Sequence, residues 1–155
     1  MSKIRVRYWV VALSLALSGA VTACGGSSSD GNGAGAVDGS CTMTETITLS
    51  GGQSYESSFC IEANGLTPTQ VNQLEQTCSS TIDLPDAGLT QTSTFSRAPC
   101  SRDGVVAGCR LTVSGVTETL WYYSDAGGYT TADLVKQVCV QQGGTTLNAS
   151  GQPLP

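Results

Sequence analysis

Cysteines are the residues of this sequence best able to do chemistry, and one of the seven stands apart. Cys24 lies between an apolar stretch and a run of small polar residues, whereas six more are spread over the rest of the chain: Cys41, Cys60, Cys78, Cys100, Cys109 and Cys139. Thiols form disulfides, bind metals as thiolates or carry covalent modifications. Because an odd number cannot pair completely, the sequence predicts a separate role for Cys24.

Residues 1–23 have the parts of an export signal. Lys3, Arg5 and Arg7 precede an uncharged apolar stretch over residues 8–21. That stretch is shorter than the roughly 20 residues that cross a bilayer as a helix. We therefore expect residues 1–23 to be a cleaved signal peptide and not a transmembrane anchor.

The residues Val21-Thr22-Ala23-Cys24 resemble the lipobox of bacterial lipoproteins. The resemblance implies cleavage after Ala23, a thioether-linked diacylglycerol on Cys24 and fatty acylation, for example with palmitate, of the new terminus. Several acyl chains anchor a protein stably where one is marginal. The alternative is an ordinary secretory signal cut near Ala20 or Ala23, which leaves Cys24 as a free thiol.

Residues 24–40 are the lipidated cysteine and a linker made almost entirely of Gly, Ser, Ala, Asp and Asn. Such a composition favours a flexible tether with a span of roughly 20–25 Å. Gly25 follows the cysteine where an Asp often marks inner-membrane retention in diderm bacteria, so an outer-membrane location is expected. Residues 41–149 then form one small domain, and residues 150–155 a flexible tail.

The charge of the mature chain excludes some partners. After cleavage, four basic side chains remain against 12 acidic ones, for a side-chain net charge of −8. Nucleic acids and anionic membrane surfaces require a basic patch, so we expect neither as a partner. The expected partners are the membrane, through the lipid on Cys24, and an envelope protein or polysaccharide.

The six remaining cysteines predict three disulfides, because an exported domain meets an oxidising environment. Zinc is the rival, but there is no CxxC pair and no histidine, so we expect no metal. Sequence alone leaves 15 pairings open. We favour one of these 15. It has Cys109–Cys139, because the hairpin and the following helix must pack together, and Cys78–Cys100, which leaves Cys41–Cys60 across the first two strands.

The segments that carry these cysteines are predicted to be strands and two short helices. Apolar and polar residues alternate over residues 42–49 and less clearly over 53–61, and a Ser114-Gly115 turn joins strands 109–113 and 116–123. Helices begin after Thr67, where Gln70 completes a capping box, and near Thr131. Residues 79–91 read as a turn-rich connection. The fold class is therefore α+β: a mainly antiparallel sheet with two short helices on one face.

Three segments carry a family resemblance: "FCIEANGLTPTQVNQLEQTC", "APCSRDGVVAGCRLTV" and "LWYYSDAGGYTTADLVKQVCVQQGG". They resemble small, mostly uncharacterised predicted lipoproteins of myxobacteria and related Gram-negative bacteria, over roughly residues 59–145. A Trp or Tyr often follows the glycine pair in those proteins, whereas Thr145 follows it here. The resemblance implies an architecture and an envelope location but no activity. The residues at matching positions are Cys100, Cys109, Cys139, Gly143 and Gly144.

Aromatic residues on the 116–123 strand offer a candidate binding surface. Strand alternation predicts that Tyr122 joins the core while Trp121 and Tyr123 face outward. An exposed pair at this spacing could stack on a sugar ring or anchor a protein. The alternative is that the 79–91 connection or Tyr129 covers this face and the aromatics pack.

Catalytic candidates are few. Without histidine, the usual Ser-His and Cys-His nucleophiles are excluded, and no glycine-rich phosphate loop is present. Only an acid-only hydrolase remains open, with Glu45, Glu56 and Glu118 as the strand-borne carboxylates. The leading expectation is a non-enzymatic envelope lipoprotein that acts as a structural or interaction module without a cofactor.

Overall fold

A computed structural model describes residues 37–49, 51–125, 128 and 130–155. The predicted signal peptide, Cys24 and the linker up to residue 36 lie outside these residues. The described elements run in this order: β1 (Gly39–Thr48), β2 (Ser54–Asn64), α1 (Pro68–Cys78), β3 (Thr81–Leu84), a 3₁₀ turn (Pro85–Ala87), β4 (Leu89–Ser96), β5 (Val105–Val113), β6 (Val116–Tyr123), α2 (Ala132–Gln141) and β7 (Thr145–Leu147).

The described strands form one seven-stranded sheet in the order β3-β4-β1-β2-β6-β5-β7, and every neighbouring pair is antiparallel. The predicted α+β class with a mainly antiparallel sheet is confirmed. β3 falls inside the 79–91 segment that the sequence predicts to be a connection. Its four residues are too few to give a clear alternation signal. The strand forms through its pairing with β4, which the local sequence does not reveal.

Both helices begin at the predicted caps. The Thr67 hydroxyl accepts a hydrogen bond from the Gln70 N–H at 3.4 Å, and the Gln70 side chain accepts one from the Thr67 N–H at 2.8 Å. Thr131 caps α2 through the Leu134 N–H. Capping side chains satisfy the donors that the first helical turn leaves unpaired, which is why these local signals locate the helix starts.

Disulfides join the helices and one loop to the sheet. The bonds are Cys41–Cys78, Cys60–Cys100 and Cys109–Cys139. The predicted Cys109–Cys139 pair is present, but Cys41–Cys60 and Cys78–Cys100 are wrong. The register explains the error, because Cys41 lies opposite Ile61 and Cys60 lies opposite Thr42. Side chains alternate along a strand, so the Cys41 and Cys60 thiols point to opposite faces of the sheet.

The ends of the domain differ from the predicted boundaries. β1 begins at Gly39, which pairs with Ala63, so the last linker residues are part of the sheet. Residues 150–155, predicted to be a flexible tail, fold back along β7. The Leu154 N–H donates to the Thr146 carbonyl at 2.8 Å, and the Asn148 carboxamide oxygen accepts the N–H of Gln152 at 2.9 Å.

Candidate functional site

Trp121 lies in the core and is 1% exposed. Its neighbours across the sheet are Cys60 on β2 and Gly108 on β5. A Cβ atom placed on Gly108 would come within 2.6 Å of the indole, so the ring lies directly over that glycine. The predicted outward exposure of Trp121 is therefore wrong. The ring packs, as in the alternative, but the loop that covers it is not the 79–91 connection. Tyr129, the other predicted cover, lies outside the described residues. The covering residues are Cys100 and Arg102, from the loop between β4 and β5.

Glu62 on β2 is the polar centre of this packing and is 5% exposed. One carboxylate oxygen accepts the Cys100 N–H at 2.8 Å, and the other accepts the Trp121 indole N–H at 2.9 Å. The Arg102 guanidinium nitrogen Nη2 lies 3.0 Å from both oxygens. A buried carboxylate is costly unless charged and neutral donors compensate it, and Glu62 has both. We call Glu62, Cys100, Arg102 and Trp121 the Glu62 cluster.

Arg102 closes the cluster toward solvent. Its side chain is 36% exposed, and its guanidinium carbon lies 3.7 Å from the centroid of the Trp121 ring. Stacking on the indole lets the arginine pair with Glu62 while covering the aromatic face with its own planar group. The surface above Trp121 is therefore occupied by this protein's own cation and does not offer a stacking platform.

Tyr123, the second residue of the predicted binding pair, is half-buried and holds the same loop. Its hydroxyl donates to the Ser101 carbonyl at 2.8 Å. Burial raises the pKa of Tyr123; nearby Arg102 lowers that pKa and Glu62 raises it. Tyr122 is also half-buried, and burial raises its pKa as well. Glu62 and Tyr123 thus hold the loop at three consecutive residues, 100–102.

The candidate hydrolytic acids do not come together. Glu56 lies opposite Thr46, so it projects to the face opposite that of Glu45. Glu45 and Glu118 share a face, but their β2 partners, Ser57 and Ala63, are six residues apart along one strand. At about 3.4 Å per residue that separation is roughly 20 Å. Paired catalytic carboxylates of glycosidases lie about 5–10 Å apart, so these three acids do not form such a pair.

Metal-binding residues, cavities and apolar helices of the described chain give no second site. No group of three or more Cys, Asp or Glu side chains there has a metal-binding arrangement. A cavity of about 250 Å³ lies beside the start of α1 and is lined by apolar residues together with Asn72, Asp38 and Arg97. In it, Asp38 accepts the Leu66 N–H at 2.8 Å and Arg97 pairs with Glu75 at 3.8 Å. Within the described part of the chain, no helix has the length and apolarity needed to cross a bilayer.

Sequence reasoning missed the two charged members of the cluster. Glu62 stands inside the apolar run Phe59–Ala63, and Arg102 is one of only four basic residues after the predicted cleavage site. A charged residue within an apolar strand needs a buried partner, and a rare cation is the natural candidate. That signal was present in the sequence, although it does not say which cation closes the pair.

Comparison with protein-family models, with curated proteins and with solved structures finds no match to this chain.

Proposed function

We propose that this protein is a lipid-anchored lipoprotein of the bacterial cell envelope, held in the outer membrane through Cys24. One observation carries the proposal. The six cysteines of the folded domain pair with one another, which leaves Cys24 without a cysteine partner in its own chain. An unpaired thiol directly after an export signal matches the position that bacterial lipoproteins acylate. Disulfides are also typical of domains that fold outside the cytoplasm.

The folded domain is, in this proposal, a structural or interaction module and not a catalyst. The Glu62 carboxylate is engaged by three donors, and Glu45, Glu56 and Glu118 lie apart. Both observations favour a role in which the domain presents a rigid surface.

We also infer that α1 and α2 pack on one face of the sheet. Cys41, Ile61, Leu120 and Cys109 form one row of cross-strand neighbours, so the thiols of Cys41 and Cys109 project to the same side. Because these cysteines bind Cys78 of α1 and Cys139 of α2, the row supports a common helical face. The Glu62 cluster then belongs to the opposite face.

Metabolic labelling tests the anchor. The full chain is expressed in a diderm bacterium fed with labelled palmitate, and its label and membrane fraction are followed beside Cys24→Ala. We expect label and detergent-dependent extraction from the outer membrane for the native chain, and neither for the variant. Gly25→Asp is the matched control, because it should keep the label but move the protein to the inner membrane. An unlabelled native chain, or a variant that is still labelled, would refute the proposal.

A further inference from the structure

Exposed apolar side chains gather at one end of the sheet. The register places Ile47 of β1 beside Leu89 of β4, with Leu84 of β3 one strand further out. Ile47 is 39% exposed, Leu49 47%, Ile82 42% and Leu84 49%, whereas the other large exposed hydrophobic residues of the described chain lie on other elements. We call this end the outer lobe; it comprises residues 45–49, 54–58 and 81–91.

The outer lobe is uncovered because α1 lies over the other end of β1. A Cβ atom on Gly39 would meet Leu74 of α1 at 3.1 Å, and the helix ends at Cys78, which bonds to Cys41. Six residues separate Cys41 from Ile47 along the strand, or roughly 20 Å. The helix therefore stops well short of the apolar row.

β3 is an open edge of the sheet. It is the terminal strand in the sheet order, and all four of its residues are exposed. Ile82 and Leu84 project to one face, and Thr81 and Asp83 to the other. No strand among the described residues pairs with the outer side of β3. Such an edge presents backbone donors and acceptors that can add a further strand.

The lobe is held in shape before any partner arrives. The Thr48 N–H donates to the Gly88 carbonyl at 2.7 Å, which ties the end of β1 to the β3–β4 turn. Gly88 has φ 62°, and a Cβ atom there would lie 2.2 Å from the Thr48 carbonyl oxygen. Only glycine allows this close approach. A preformed edge binds with less loss of conformational entropy than a mobile one.

Charge selects the occupant of this edge. The three ranges of the outer lobe contain no Lys or Arg, so all of its charged residues are acidic. They are Glu45, Glu56, Asp83 and Asp86. A second copy would bring the same acids against these four, which is unfavourable. It would also contribute a strand of four residues, whereas a stable interface takes roughly 20–30 residues from each side. A basic partner strand is attracted where a second copy is repelled.

We propose that the β3 edge binds an extended segment of an envelope protein in which aliphatic residues alternate with Lys or Arg. The segment adds as a further strand, with its aliphatic side chains beside Ile82 and Leu84 and its cations beside Asp83. This inference rests on the interaction role proposed above and specifies the chemistry of the partner.

Three labelled peptides test the edge. The first is Thr-Lys-Val-Lys-Val-Lys-Thr; in the second Glu replaces each Lys, and in the third Ser replaces each Val. Fluorescence anisotropy is measured at low salt with the full-length protein extracted in detergent. We expect the Lys-Val peptide to bind at least about tenfold more tightly than either control, because cross-strand apolar and charge pairs each contribute. Equal binding of the Lys-Val and Glu-Val peptides would overturn the proposal.

Asp83→Lys locates the contact. The Asp83 carboxylate has only a long contact to the Thr90 hydroxyl, 3.4 Å, so the variant should fold. We expect it to lose about tenfold for the Lys-Val peptide and to gain for the Glu-Val peptide. Asp103→Lys makes the same charge change at an exposed turn in the β4–β5 loop and should change binding less than twofold. Equal effects of the two variants would show that net charge acts and would refute the edge site.

Ile82→Thr tests the choice of occupant. The substitution keeps a β-branched residue on an exposed strand position and removes apolar surface, so we expect about fivefold weaker peptide binding. Sedimentation of the native chain is measured in parallel. Self-association that Ile82→Thr abolishes would replace the basic segment by a second copy and overturn the proposal. Peptide binding that survives in Cys24→Ala keeps this inference separate from the fate of the lipid anchor.

Discussion

Replacing Glu62 by Gln tests whether the cluster holds the β4–β5 loop on the sheet. The carboxylate accepts from the Cys100 N–H, the Trp121 indole and Arg102, whereas an amide replaces one acceptor oxygen by a donor NH₂. In either orientation of the amide, at least one buried donor faces another donor. The arginine also loses its counter-ion.

The magnitude follows from these lost contacts. Hydrogen bonds to a charged group contribute about 1.5–3 kcal/mol each, and breaking a buried pair costs about 3–5 kcal/mol. Arg102 is 36% exposed, so water recovers part of the loss. We expect Glu62→Gln to lower the free energy of unfolding by about 3 kcal/mol. With an m-value of about 1–2 kcal/mol/M, the urea midpoint falls by roughly 2 M.

The assay is urea unfolding of the disulfide-intact protein, followed by the fluorescence of Trp121. Glu75→Gln is the matched control. Glu75 pairs with Arg97 at 3.8 Å, and their side chains are 51% and 64% exposed. Such a pair contributes less than about 1 kcal/mol, so we expect almost no change in the midpoint. If both variants unfold at the same urea concentration as the native protein, the argument for the Glu62 cluster fails.

Three further outcomes are expected. Non-reducing peptide mapping should recover Cys60 with Cys100, and recovery of the strand pair Cys41–Cys60 would refute the register. The Cys100→Ser variant should have a free energy of unfolding lower by about 4 kcal/mol, because the bond closes a loop of 40 residues. Gly108→Ala should cost about 2 kcal/mol in thermal unfolding because its Cβ would overlap the indole, whereas Gly51→Ala has nothing within 4 Å and should be neutral. Burial raises the pKa of Tyr122, so its stability contribution is complete below about pH 10 and declines as pH rises through the folded pKa. Absorbance titration of the folded protein measures the phenol pKa, and unfolding experiments above pH 10 measure the loss of stability. An unshifted phenol pKa would contradict the prediction.

Local patterns in the sequence located most of the elements. The Thr67–Gln70 capping box and the Ser114-Gly115 turn depend on residues within four positions of each other, so no knowledge of the fold is needed to interpret them. In the structure, Ser114 has φ 52° and Gly115 φ 82°, the conformation that a tight hairpin turn requires. The short edge strand β3 lacked such a local signal.

The candidate binding pair failed for a different reason. Alternation along β6 correctly separates Trp121 from Tyr122, but it does not say which face of a sheet is covered. The face of Trp121 is covered by a loop from residues 97–104, about 20 positions earlier in the chain. Its arginine stacks on the indole and its disulfide reaches Cys60.

The sequence by itself determined the periodicities, the helix caps, the even set of six domain cysteines and the acidic charge, because each depends on composition or near neighbours. Tertiary structure alone decided which cysteines pair and where Trp121 and Glu62 lie. A one-residue offset between β1 and β2 sends Cys41 and Cys60 to opposite faces, and such an offset is set by the pairing of whole strands. Burial of Glu62 likewise requires donors from three separate segments to converge on one carboxylate.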